Sequence, residues 1–259
     1  MWSPVLITRQ QCRYEWQVLL LAVGFLTRLP VPADPDFSEA KLNGASRYFP
    51  LVGLLVGALA AMIYVAALAL FGNSLMAVLL SMLASILITG SFHEDGFADS
   101  CDGFGGGWRS EDVLRIMKDS RIGTYGTVGL ISVLALKATS LHALPSVGVV
   151  VVALLWAHVF SRWVSTSYLV DLHYVRGEGK SKPLATTMPL KHWLYSGAPL
   201  LPLLFFIDVY SFISLLVMAL LFRWAFAVYL RRRIGGYTGD ALGAAQQVVE
   251  ILVYFAFLL

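Results

Sequence analysis

The chain has 259 residues, 58% of them hydrophobic and 14% charged, with a mean hydropathy of +0.73. Soluble domains carry roughly 25% charged residues, so this composition excludes a water-soluble globular protein. It points to an all-α, polytopic membrane bundle forming one integral membrane domain over residues 1–259, and the net charge of +3, without a long basic run, excludes nucleic acid as a partner.

Residues Trp2–Arg13 are mixed and polar. Trp16–Leu29 is apolar but only about 14 residues long, short of the roughly 20 that a crossing needs. Arg9, Arg13 and Arg28 flank it, so it reads as an interfacial or re-entrant helix. The apolar run Val18–Leu26 is short and no small-residue cleavage site follows it, so no cleavable signal peptide is expected. Pro30, Pro32 and Pro35 then break the chain, and Ser38–Tyr48 is a short polar stretch.

Tyr48–Phe71 is long enough to span, Gly72-Asn73 turns, and Ser74–Phe92 returns. A polar island, His93–Gly126, follows. Thr127–Ala143 goes out, Leu144-Pro145-Ser146 turns, and Val147–Val170 comes back to a second polar loop, Asp171–Tyr195. Ser196–Leu230 is about 35 residues, or about 50 Å as a helix at 1.5 Å per residue. That is too long for one crossing, and Asp208 marks a turn inside it. A third polar loop, Arg231–Asp240, leads to a final apolar helix, Ala241–Leu259. The count is about seven spans.

The turns at Gly72, Pro145 and Asp208 contain no Lys or Arg, and only Lys137, Arg162 and Arg223 fall inside expected spans. The charged loops therefore share one face, which the positive-inside rule makes cytoplasmic. Cys101 lies on that side, where thiols stay reduced, and with Cys12 it is too few for a disulfide framework. Polar groups at membrane depth usually face the bundle interior and mark function. Arg162, Lys137, Gln246, Gln247 and Glu250 fit that description, with snorkelling to an interface as the alternative for the two cations.

The island holds seven of the sixteen acidic residues: Glu94, Asp95, Asp99, Asp102, Glu111, Asp112 and Asp119. Four carboxylates within nine residues repel one another unless a cation sits among them. If Phe92–Asp102 continues the preceding span as a helix, Asp95, Asp99 and Asp102 share one stripe at i, i+4 and i+7. Glu94 then points about 100° away. Oxygen ligands suit Mg²⁺, which is typically held by one or two carboxylates plus substrate phosphates. His93 and Cys101 fit no zinc spacing, and the EF-hand pattern is absent.

Asp102–Gly107 reads DGFGGG, and glycines such as Gly105 and Gly106 let a backbone approach a phosphate. The alternative is a plain flexible connection. Arg109, Arg115, Lys118 and Arg121 interleave with the acids, and arginine suits bidentate phosphate contacts. Lys118-Asp119-Ser120-Arg121 leads to Gly123 and Gly126 at the mouth of a span, where a helix N-terminus favours anions. The second loop carries Arg176, Lys180 and Lys182 among glycines and hydroxyls. It suits a polyanionic ligand or serves as a positive-inside loop. Asp240 is either a helix N-cap or a further metal ligand.

The segments HEDGFADSCDGFGGG, RIMKDSRIGTYG, GKSKPLA and GGYTGDALGAAQQVVE closely resemble the cobalamin synthase family, also called adenosylcobinamide-GDP ribazoletransferase, from about Phe25 to the C-terminus. The resemblance implies a Mg²⁺-dependent enzyme of a bacterial inner membrane with its active site facing the cytoplasm. Its substrates would be adenosylcobinamide-GDP and α-ribazole or α-ribazole 5′-phosphate, with release of GMP.

On this basis Glu94, Asp95, Asp99, Asp102 and Asp240 are the expected metal ligands. Asp95 and Asp99 are the expected catalytic pair, with Asp99 taking the hydroxyl proton. Arg109, Lys118, Asp119, Arg121, Lys180, Lys182, Gly105 and Gly106 are the expected phosphate contacts. The chain is also distantly similar to CDP-alcohol phosphotransferases through Asp95-Gly96, Asp99 and Asp102. It departs from that signature where Asp99 follows Ala98 in place of an arginine. A CDP-alcohol phosphotransferase and a cation channel or transporter with an acidic mouth are the competing functions. A homo-oligomer is left open.

Overall fold

The structure is a computed structural model that describes residues 9–34, 36–176 and 186–259. Helix α1 (Arg9–Leu26) buries Val18, Ala22 and Leu26, one stripe at four-residue spacing. Ser38 caps the short α2 (Glu39–Gly44) by accepting from the Lys41 amide at 3.2 Å. A 3-10 turn, Ala45–Tyr48, leads into α3 (Phe49–Phe71). Gly72, at φ 61°, ends α3, and the Asn73 side chain accepts from the Met76 amide at 2.9 Å to start α4 (Ser74–Thr89). The expected tight turn is thus a left-handed glycine followed by an N-cap.

The next junction differs from expectation. Phe92–Asp102 does not continue α4. Gly90 and Ser91 both adopt positive φ, 66° and 59°, and the chain bends by 88° into α5 (Phe92–Gly106). The polar island is therefore largely helical: α5 is followed by α6 (Ser110–Ile116) and then α7 (Thr124–Ala143). Ser146 caps α8 (Val147–Thr166), which runs on into a single turn, α9 (Tyr168–Asp171). The second polar loop ends in a short helix, α10 (Leu190–Ser196), and two 3-10 turns follow, Ala198–Leu200 and Pro202–Phe206. Asp208 then caps α11 (Val209–Ile234), and Thr238 rather than Asp240 caps the last helix, α12 (Gly239–Leu258).

Among the described residues, five helical stretches are long and apolar enough to cross a membrane, and the bent α4–α5 pair makes a sixth if counted as one span. The pass expected in Ser196–Ile207 is not a regular helix. Pro199 and Pro202 lack the amide that an α-helix needs, so the stretch tightens into 3-10 turns. The Trp156 indole compensates by donating to the Leu203 carbonyl at 3.1 Å, which satisfies irregular backbone from the bundle. Helix α1 is not among the five stretches.

The charged loops gather at one end. The Ser74 hydroxyl and the His142 ring meet at 2.9 Å at the opposite end, joining two of the uncharged hairpin turns. At the charged end the Val175 amide donates to Tyr237 O at 3.0 Å and the Tyr237 amide to His173 O at 2.8 Å. Arg233 reaches the Phe104 and Gly107 carbonyls at 3.2 and 2.6 Å. The three polar regions of the sequence thus form one surface.

Glycine sets how closely the helices approach. A methyl group on Gly53 of α3 would overlap the His158 carbonyl of α8, and one on Gly57 would lie 3.1 Å from the Leu154 carbonyl. Gly96 of α5 rests against the Asp240 backbone, and a methyl group on Gly243 of α12 would lie 3.2 Å from the His93 carbonyl. Replacing Gly53 with Leu should separate α3 from α8 and cost about 1–3 kcal/mol. Thermal unfolding of the detergent-solubilised variant should show a clearly lowered midpoint, and an unchanged midpoint would contradict the close contact.

Candidate active site

Helix α5 presents different acids to different surroundings. Asp95 is exposed and Asp99 half-buried on its open side, while Glu94 and Asp102 are buried. Gly96 seats α5 on the first turn of α12, so Asp240 joins Asp95 and Asp99 at the charged end. Burial, followed by repulsion from Asp240 and Asp95, pushes the Asp99 pKa up to about 7, against the opposing pull of Arg176. Asp99 lies level with the first turn of α12, outside the apolar crossing.

Arg176 is the cation of this cluster. It pairs with Asp240 through a short bond and donates to the Met117 carbonyl at 3.2 Å. Its Nε is buried with no hydrogen-bond partner among the described residues. Neither Asp95 nor Asp99 accepts a side-chain hydrogen bond among those residues.

The donor set consists of carboxylates with one orphaned guanidinium N–H beside them. Hard oxygen donors fit Mg²⁺, and the free guanidinium edge fits a phosphate. Among the described residues no three acidic, His or Cys side chains are gathered closely enough to enclose an ion by themselves. Magnesium is commonly held by one or two carboxylates, with substrate phosphates completing its shell.

Asp102 has another visible role. Its two oxygens accept from the Gly123 and Gly126 amides at 2.6 and 2.8 Å, so it caps the start of α7 from a separate helix. Gly126 must be glycine because a side chain there would run into that carboxylate.

Glu94 is drawn inward. It accepts from Gln247 at 2.9 Å, and its other oxygen is buried without a partner among the described residues. Gln247 belongs to a buried polar network that also includes Gln246, Lys137, His158, Arg162 and Glu250. Each of these six side chains belongs to a residue 5% exposed or less. The Lys137 ammonium touches Gln247 and Glu250, both at 2.5 Å. His158 Nδ1 lies 3.0 Å and Arg162 3.9 Å from the other Glu250 oxygen, and Gln246 donates to that oxygen through a short bond. Two cations, Lys137 and Arg162, face two anions, Glu94 and Glu250. The expectation that deep polar groups turn inward holds, and neither cation snorkels. His158 was not singled out in the sequence, although it stands four residues before Arg162, one turn away on the same face.

The other expected phosphate contacts divide. The DGFGGG segment is not an open anion nest; it forms the last turns of α5, with Gly105 under the Tyr125 ring and Gly106 exposed. Arg109 is exposed at the start of α6, and Lys118 is exposed beyond its end. Arg121 and Asp119 pair with each other at 2.8 Å, which holds the exposed Asp119 carboxyl down to about 2. Lys180 and Lys182 lie outside the described residues.

Residues 18–258 match the cobalamin-5-phosphate synthase (CobS) family, and the chain belongs to it. Two proteins named adenosylcobinamide-GDP ribazoletransferase illustrate the likeness. The one from Ralstonia pickettii (strain 12J) is 48% identical over 95% of this chain and 96% of its own length. The one from Shewanella baltica (strain OS185) is 47% identical over 96% and 97%. No solved structure matches.

Removing one member of the buried network should cost more than the pair is worth, because it strands a charge in lipid. Glu250→Gln should destabilise the protein by about 3–5 kcal/mol, and the double variant Glu250→Gln, Lys137→Met should recover much of that loss. Midpoints of thermal unfolding in one detergent test this, and full additivity of the two single losses would rule out the coupling.

Proposed function

We infer that this chain is a cobalamin synthase that joins adenosylcobinamide-GDP to α-ribazole or α-ribazole 5′-phosphate. The observation that carries the inference is its likeness, over nearly its whole length, to relatives named for that activity. The ribazole 3′-hydroxyl attacks the phosphorus attached to cobinamide. A new phosphodiester bond forms, the pyrophosphate bond breaks, GMP leaves and the hydroxyl proton is released.

Such a transfer asks the protein mainly for positioning and charge neutralisation. Asp95 and Asp240 would hold Mg²⁺, which when bound would neutralise the pyrophosphate oxygens as GMP departs. Arg176, with its unused Nε, would hold a phosphate oxygen. Asp99, half-buried beside Asp95 and Asp240 and accepting no side-chain hydrogen bond among the described residues, is the carboxylate best placed to accept the hydroxyl proton. The charged end would face the cytoplasm of a bacterial inner membrane, where both substrates approach from water.

The two rivals fit less well. A CDP-alcohol phosphotransferase would release CMP, and the residue after Ala98 departs from its signature. A channel would need charges lining a path, whereas the deep charges here are closed upon one another.

Purified protein in lipid should release GMP only when Mg²⁺ and both substrates are present. Asp95→Asn should raise the Mg²⁺ concentration needed for half-maximal turnover. Asp99→Asn should lower turnover by at least about 100-fold at saturating Mg²⁺. Near-normal turnover in both variants would sink these assignments.

A further inference from the structure

A broad groove lies away from the carboxylates. It has a volume of about 530 Å³ and lies between α1 and the segment after it, with Trp16, Leu20, Leu21 and Phe25 on one wall and Val31 and Pro32 on the other. Lys41 pins both walls at one point, donating to Gln17 at 3.0 Å and to Asp34 at 3.1 Å.

One lining residue touches the helix that carries the open acids: Phe25 packs edge-on against Phe92 of α5 with ring centroids 5.1 Å apart. Phe92, Asp95 and Asp99 stand at i, i+3 and i+7 on α5, so the aromatic contact and the two open carboxylates share one stripe. Phe25 and Phe92 also line a small inner cavity of about 70 Å³ that ends at Gly239, the neighbour of Asp240. The end of α1 is fixed over this region, because the Arg28 amide donates to the Ile88 carbonyl at 2.7 Å.

We propose that the α1 groove is the subsite for the nucleoside substrate, α-ribazole, with its apolar fused-ring base between Trp16, Leu21, Val31 and Pro32 and its ribose toward Phe92 and Asp95. This rests on the transferase activity inferred above. Pockets of roughly 300–1,000 Å³ take drug-sized molecules. A fused bicyclic base with one ribose falls in the lower part of that range, whereas a corrin macrocycle carrying an adenosyl group and a GDP arm is far too large to be enclosed. The mostly apolar lining suits a base bearing methyl groups.

Two groove-filling variants test the proposal. Ala33 is exposed and lines the groove, so Ala33→Trp fills it without disturbing the core; Leu21→Trp fills it from α1. In GMP-release assays each should raise the KM for α-ribazole by about tenfold or more. The KM for adenosylcobinamide-GDP should change less than twofold. An unchanged KM for α-ribazole in the well-folded Ala33→Trp variant overturns the proposal, as does a rise confined to adenosylcobinamide-GDP.

Calorimetric titration of the wild type and Ala33→Trp proteins with α-ribazole alone separates this outcome from failure of the transferase activity. Binding that is lost in the variant supports the groove even if no GMP is released. Absence of binding to the wild type, or equal binding to both proteins, overturns it.

Discussion

The contact on which the architecture depends is the ion pair between Lys137 and Glu250, 2.5 Å apart and buried among spans. A charge in hydrocarbon is costly unless it is paired and hydrogen-bonded. Glu250 meets that demand by taking Lys137 from α7, His158 and Arg162 from α8, and Gln246 from its own helix. Gln247, one residue on from Gln246, extends the network to Glu94 of α5. Four helices, α5, α7, α8 and α12, are thereby held in one rotational setting. Apolar packing in lipid does not supply such a setting, because lipid tails are as apolar as the helices themselves.

The setting matters because it positions the open face of α5. With Glu94 held inward and Gly96 pressed on the first turn of α12, Asp95 and Asp99 turn toward Asp240 and Arg176. Asp102 fastens the far end of the same helix to the start of α7 through two amides. The four acids of α5 thus serve three purposes. One pairs at depth, one caps a helix, and two remain open beside Asp240, where their mutual repulsion leaves a demand for positive charge.

The legible parts of this arrangement were those set by local chemistry. Gly72-Asn73 and Leu144-Pro145-Ser146 announce turns through residues that end helices or cap them, and they turn as expected. The spacing of Asp95 and Asp99 places them on one stripe in any α-helix. Deep Lys137, Arg162 and Glu250 have nowhere to turn but inward. The break at Gly90-Ser91 was not legible, because an apolar run ending in glycine and serine continues as a helix as readily as it bends. The 88° turn is made at Gly90 and Ser91, both at positive φ, and it seats Gly96 on the Asp240 backbone. DGFGGG misled for a related reason: glycines that suit an anion nest equally suit a helix that must pass under the Tyr125 ring and against Met117. The interior role of His158 needed three-dimensional partners to show.

Adjacent residues Glu94 and Asp95 carry the distinction furthest. They are about 100° apart around α5, which sends one carboxylate toward Gln247 inside the bundle and leaves the other exposed. Their chemistry is almost the same, so composition alone assigns both to a metal. Their surroundings separate them. A buried carboxylate held by an amide and facing cations already has much of its charge balanced. An exposed one beside Asp99 and Asp240 does not. The helix therefore couples the two environments mechanically: any rotation that frees Glu94 from Gln247 also turns Asp95 and Asp99 away from Asp240. Stability in the lipid and geometry at the charged end are in this way two readings of one angle.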